Sequence, residues 1–170
     1  MKTETYLGKL YAVEQALPHL LTTETLWHSL FVDYAKPYVE RVYMNWNGLR
    51  INLHRISKCE THEALFHPHP WPSAMRILEG SYEMGVGYST TDEVPPAAAT
   101  IVLPAGAAYE MVDRNGWHYV RPLTDYSLTL MVSGGPWDRT SPKSSYTLSE
   151  LAPEKKREIL ELFRKKYPAS

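Results

Sequence analysis

Apolar residues between positions 12 and 35 recur at helical spacing, Leu26, Leu30 and Phe31 among them, and predict one or two N-terminal helices. Thr22 or Thr23 is the expected N-cap and Pro37 the stop. From Tyr38 the pattern changes to short runs of Val, Tyr, Ile and Leu broken by Asn47-Gly48, Asn115-Gly116 and Gly134-Gly135, which is strand and turn chemistry. An Asn-Gly pair suits a type I′ turn, where both central residues need positive φ, so Tyr38–Trp46 should pair with Leu49–Ser57. Asn115-Gly116 should join Ala107–Asp113 to Trp117–Arg121 in the same way. Further strands are expected at Ser73–Leu78, Ser81–Tyr88, Thr100–Leu103 and Ser127–Val132, which makes the chain mainly β, a barrel or sandwich. Residues 93–99, with two prolines and three alanines, form a loop. In the tail, Ile159, Leu160, Leu162 and Phe163 share one helical face that should pack outside the barrel, with Ser149 or Pro153 at its start.

A length of 170 residues fits a single domain: a helical segment over 1–37, the β-structure over 38–139, and a loop with the last helix over 140–170. A formal net charge of −1 supplies no field for polyanions, which argues against nucleic acid or an anionic membrane surface as partner. The lone Cys59 excludes an internal disulfide, MKTETYLGKL lacks the apolar core of a secretory leader, and no apolar run is long enough to span a bilayer. A cytoplasmic setting is the expectation. Twelve Tyr and five Trp are suited to pocket walls and partner surfaces.

The clearest chemistry lies in His67-Pro68-His69-Pro70-Trp71-Pro72. A period of two in extended chain sends both imidazoles to one face, while the alternating prolines, which cannot donate to a ladder, place the segment at a strand end or edge. Two imidazoles converge on one ion but need a third ligand, for which His118 is the candidate. His19, His28 and His62 read as ordinary surface or helix residues, and Cys59 as inert.

After the His-x-His pair come Glu79-Gly80-Ser81-Tyr82-Glu83, then Leu103-Pro104-Ala105-Gly106, then Gly116-Trp117-His118-Tyr119-Val120. This order resembles the cupin superfamily over roughly residues 50–139, with its His-x-His strand followed by a glycine and its Pro-x-Gly motif. The resemblance implies a double-stranded β-helix, or jelly roll, flanked here by N-terminal helices and a C-terminal helix. Two positions depart from the common four-ligand pattern: Ser73 or Ala74 stands where a glutamate usually follows, and Tyr109 replaces a histidine. The set is similar instead to the three-histidine variant of the cysteine dioxygenase branch, and also to cupins of unassigned role that bear His-x-His-Pro-Trp. That branch implies Fe(II) held by His67, His69 and His118, with positions open to a chelating substrate and O2; Zn, Mn or Ni are alternatives. The histidine and tyrosine that this branch carries in the next strand are absent from Ser127-Leu128-Thr129-Leu130-Met131, so a thiol is only one candidate substrate.

Other residues join the expected site by position. If Ile51 and Leu53 face the barrel interior, Arg55 turns into the cavity as a clamp for an anionic group and His54 turns away. Tyr109 either bonds to substrate or packs as wall, Trp71 and Trp117 are wall or core, and Glu83 is a solvated strand residue or a distal ligand. The expected function is a mononuclear non-haem iron oxygenase acting on a small chelating substrate, with a redox-neutral isomerase, lyase or hydrolase and a non-catalytic binding protein as alternatives. Exposed strand edges and aromatic faces favour a homodimer.

Overall fold

The computed structural model describes residues 5–138 and 147–169. Helix α1 (Tyr6–Leu20) is capped by the Thr5 side chain, which accepts from Gly8 N, and buries Leu10, Val13, Leu17 and Leu20 along one face. Ten strands follow: β1 (His28–Val32), β2 (Val39–Trp46), β3 (Leu49–Ser57), β4 (His67–Pro68), β5 (Ser73–Glu79), β6 (Ser81–Tyr88), β7 (Ala99–Pro104), β8 (Ala108–Met111), β9 (Gly116–Pro122) and β10 (Tyr126–Ser133). Helix α2 (Pro153–Lys166) has proline in its first turn and a basic last turn, both favourable to the helix ends.

The strands form two antiparallel sheets, ordered β1-β2-β3-β10-β5-β8 and β4-β9-β6-β7. From β3 onward the chain passes back and forth between them, so the strands β3 to β10 build the two four-stranded halves of a jelly roll of the cupin type, and β1 and β2 widen one half. The sheets face one another without closing their edges into a continuous barrel. The Asn47-Gly48 turn behaves as its chemistry dictates: φ is +49° at Asn47 and +75° at Gly48, and the turn sets Trp46 opposite Leu49 and Arg41 opposite His54.

Both helices lie on the outer face of the six-stranded sheet, α1 against β5, β8 and β10 and α2 against β2 and β3. The main core is there. Leu10, Val13 and Leu17 of α1 and Ile159, Leu160 and Phe163 of α2 enclose Val42, Ile51, Leu53, Leu128, Leu130 and Val132, all with no exposed surface. Each fully buried aliphatic side chain of this kind contributes about 1.5–3 kcal/mol. A smaller cluster, Ile77, Tyr82 and Met84, joins the two sheets on the inside.

Three expectations are corrected. The stretch around Leu26, Leu30 and Phe31 keeps only one 3-10 turn, Glu24–Leu26, with Thr23 at its N-cap position but no side-chain cap bond; His28–Val32 is a strand, because the free edge of β2 offers it a full ladder from His28↔Tyr43 to Val32↔Val39. The helix lies earlier, and Thr5 rather than Thr22 or Thr23 caps it. Asn115-Gly116 does not make a hairpin, since β8 pairs with β5 and β9 with β4 and β6 in the other sheet. Asp113 forms the corner instead, its side chain accepting from Asn115 N at 2.9 Å and its carbonyl from Gly116 N at 3.0 Å. Residues 139–146 of the expected final loop lie outside the described residues.

Candidate metal centre

Strand β4 is the edge of its sheet, as its prolines require, and pairs His67 directly with His118 of β9. Directly opposed residues of an antiparallel pair project to the same face, and His69, two residues beyond His67, follows it inward. One ring nitrogen from each of His67, His69 and His118 lies within 4.8 Å of the others. The Nε2 atoms of His69 and His118 are 3.0 Å apart, and the three ring centroids are separated by 4.6–5.4 Å.

The surroundings set orientation and charge. His67 Nδ1 donates to the Leu65 carbonyl at 2.9 Å, which turns its Nε2 lone pair toward the cluster. His69 Nδ1 lies 2.9 Å from Ser73 Oγ, and its ring stacks on Trp71 at 5.8 Å. His118 Nδ1 is buried without a hydrogen-bond partner. Burial lowers the pKa of all three rings, those of His69 and His118 well below the ordinary range; His67 lowers His69 further, both lower His118, and the charge of Arg41 lowers His67 and His69. Neutral imidazole is the ligating form. Ligands about 2.1 Å from one ion stand at most about 4.2 Å apart, so a small ring adjustment closes the set around a divalent transition metal. No other cluster of three or more His, Cys, Asp or Glu with metal-ligand spacing occurs among the described residues.

The cluster borders a cavity of about 170 Å³ between the sheets. Tyr109 reaches it: its ring is 6.2 Å from that of His118, and its hydroxyl accepts from Tyr82 Oη at 2.9 Å. Burial pushes the Tyr109 phenol well up, so it stays protonated. Trp71 is wall, while Trp117 is buried on the opposite side of β9, against Phe66.

Arg55 does not reach the cavity. It lies on the helix-covered face, where it pairs with Glu40 of β2 and, at 2.5 Å, with Glu158 of α2. The reason is a reversed assignment of faces: Ile51 and Leu53 point under the helices, which sends His54 inward and Arg55 outward. Glu83 also points away from the cluster, accepting from Tyr119 Oη at 3.0 Å and from Arg121. Cys59 is buried and burial raises its thiol pKa, which leaves it unreactive.

Three further residues point inward and lie side by side on β2, β3 and β10: His54, which was expected to turn away, and Arg41 and Thr129, which the expected site did not include. Arg41 Nε donates to His54 Nε2 at 2.9 Å. The signal was present in the Asn47-Gly48 turn, whose register sets Arg41 against His54.

A jelly roll with three converging imidazoles on its inner face defines the class, a cupin-type fold with a candidate mononuclear metal centre. No family model matches the chain, and no curated protein matches it. Among solved structures it is similar to the hydroxypropylphosphonic acid epoxidase of S. wedmorenis at 15% identity and a TM-score of 0.47, covering 62% of this chain and 55% of that one. An Fe(II) form of HppE with the alternative substrate (S)-1-HPP gives 16% identity and a TM-score of 0.49, over the same shares. The chain thus spans about half the length of these proteins. The protein BH2720 of Bacillus halodurans gives 18% identity and a TM-score of 0.47, covering 65% of this chain and 76% of that one. Among the described residues, no helix is long and apolar enough to cross a membrane.

Proposed function

We propose that the chain is a metal-dependent enzyme of the cupin type, an oxygenase in which His67, His69 and His118 hold one Fe(II) and a small chelating substrate binds beside them with O2. The observation that carries this reading is the convergence of three neutral imidazoles, His69 and His118 buried and His67 half-buried, on one point beside the cavity. The chemistry supplied by a bound ferrous ion is electron donation to dioxygen, with coordination positions beyond the three imidazoles left for substrate. The chain's own residues shape the rest. Ser73 and the Leu65 carbonyl orient two of the ligands, and Val32, Ile56 and Met75 line the cavity with apolar surface that limits water. Tyr109, held protonated and steadied by Tyr82, supplies a hydrogen-bond donor near the cluster.

A second reading is supported by the donor set itself, which contains no carboxylate. Three histidines also form a catalytic zinc site, in which a bound ion polarises a carbonyl or lowers the pKa of water without redox change. Elemental analysis of protein purified without chelators, followed by oxygen uptake with a panel of thiols, amino acids and 1,3-dicarbonyls, separates the two. Uptake that depends on added Fe(II) supports the oxygenase. Turnover without oxygen in the presence of Zn, Mn or Ni supports the redox-neutral enzyme, and a chain that retains no divalent metal overturns both. A cytoplasmic homodimer remains part of this reading, checked for assembly by light scattering.

A further inference from the structure

Arg41 and Arg50 stand on the inner face of the six-stranded sheet and line a second cavity of about 190 Å³ with Asn52, Trp71, Met131 and Ser133. This cavity adjoins the one at the histidines, with Arg41, Trp71 and Met131 as the shared wall. Five arginines elsewhere among the described residues face carboxylates: Arg55 faces Glu40 and Glu158, Arg76 faces Glu14, Arg121 faces Glu83, Arg157 faces Glu154, and Arg164 faces Glu24 and Glu161. Arg41 and Arg50 differ. No Asp or Glu lines either cavity among the described residues. Arg41 donates to the neutral ring of His54, while Arg50 lies 3.8 Å over the ring of Tyr43 and keeps a buried Nε without a partner. Burial and the charge of Arg50 lower the Arg41 pKa to about 10, which leaves both guanidinium groups charged at neutral pH.

Arg41 and Arg50 are both half-buried, and two guanidinium groups on one cavity wall without an acid repel each other unless an anion completes them; the planar fork of arginine matches the oxygens of a carboxylate or a phosphate. We infer that Arg41 and Arg50 bind one oxyanion group, a carboxylate or a phosphate, of the same molecule whose other end reaches the histidine cluster. The anion site rests on the arginines alone; its role in holding a substrate rests on the metal-enzyme reading above.

The test is calorimetric titration of the full chain with inorganic phosphate and with acetate, after chelator treatment and at constant ionic strength with chloride as reference. Wild-type protein should bind at least one of the two saturably, and which one binds selects the source of the oxyanion. Arg41→Gln and Arg50→Gln should each weaken that binding at least about 10-fold, Arg41→Lys should retain part of it, and Arg55→Gln should leave it unchanged. Circular dichroism on the same preparations checks folding, and if Arg41→Gln fails to fold, Arg50→Gln and Arg41→Lys decide. Absence of saturable binding in wild type, or equal binding in the Gln variants, overturns the inference. Co(II) titration is read separately: phosphate or acetate binding without Co(II) binding overturns the metal reading and leaves the anion site standing.

Discussion

On strand β3 the outward side chains Ile51 and Leu53 lie fully buried beneath the two helices, while the inward Asn52 and His54, equally hidden from solvent, face the cavities. The same contrast holds for charge. Arg55 on the outer face is raised above its ordinary pKa by its hydrogen bond to Glu40, whereas Arg41 on the inner face is lowered by burial and has a neutral histidine beside it. One sheet therefore stabilises the fold on one side and presents chemistry on the other. Burial alone does not distinguish the two, but the partners of the buried groups do.

The sharpest way to break this division is to strike each face and ask whether the other responds. Leu53→Ala removes a fully buried side chain from the helix-covered core and should cost about 2–5 kcal/mol of stability, measured by urea unfolding. Metal affinity of the folded fraction should be unchanged. Loss of metal in that variant would show that the faces are coupled.

His118→Ala is the reciprocal experiment. A metal ligand matters more than a group that only orients one, so affinity for Co(II) should fall by more than about 100-fold while the metal-free chain keeps its circular dichroism. Retained affinity would remove His118 from the set. Arg55→Leu comes next in size: it leaves Glu40 and Glu158 without their partner and should cost about 1–3 kcal/mol of stability, with metal binding spared. A drop in metal affinity would restore Arg55 to the site despite its outward position.

Most strands from β2 onward, the final helix and the histidine triad were legible in the sequence because each rests on local chemistry. Asn47-Gly48 forces its hairpin, Ile159, Leu160 and Phe163 repeat at helical spacing, and His67-Pro68-His69 needs an extended edge. What was not legible depends on partners distant in the chain. His28–Val32 becomes a strand because β2 has an edge to fill, and Asn115-Gly116 turns a corner between sheets because β8 and β9 have other neighbours. The direction of Arg55 failed for a related reason: alternation separates two faces but does not say which one a helix covers. That information lies in helix α2, whose Ile159, Leu160 and Phe163 come about a hundred positions later in the chain.

The smallest expected effect concerns the inner face and acid. His54, His67, His69 and His118 all titrate below the ordinary histidine range, chiefly through burial, and His54 is depressed further by Arg41, Arg50 and His69. In the metal-free protein these rings stay neutral while folded but take up protons once unfolded, below about pH 6.5. Their contribution is therefore fully present above that value and is lost as pH falls toward the folded pKa values, each ring contributing a slope of up to about 1.4 kcal/mol per pH unit. Replacing His54 with Gln removes one such ring without touching the triad. The stability of metal-free His54→Gln, measured by urea unfolding between pH 7.5 and 5.5, should decline less steeply than wild type by about one ring's share. An unchanged slope would mean that His54 is already protonated in the folded chain, a state its acceptance of the Arg41 Nε–H bond opposes, and the contrast between the two faces would then lose its neutral inner partner.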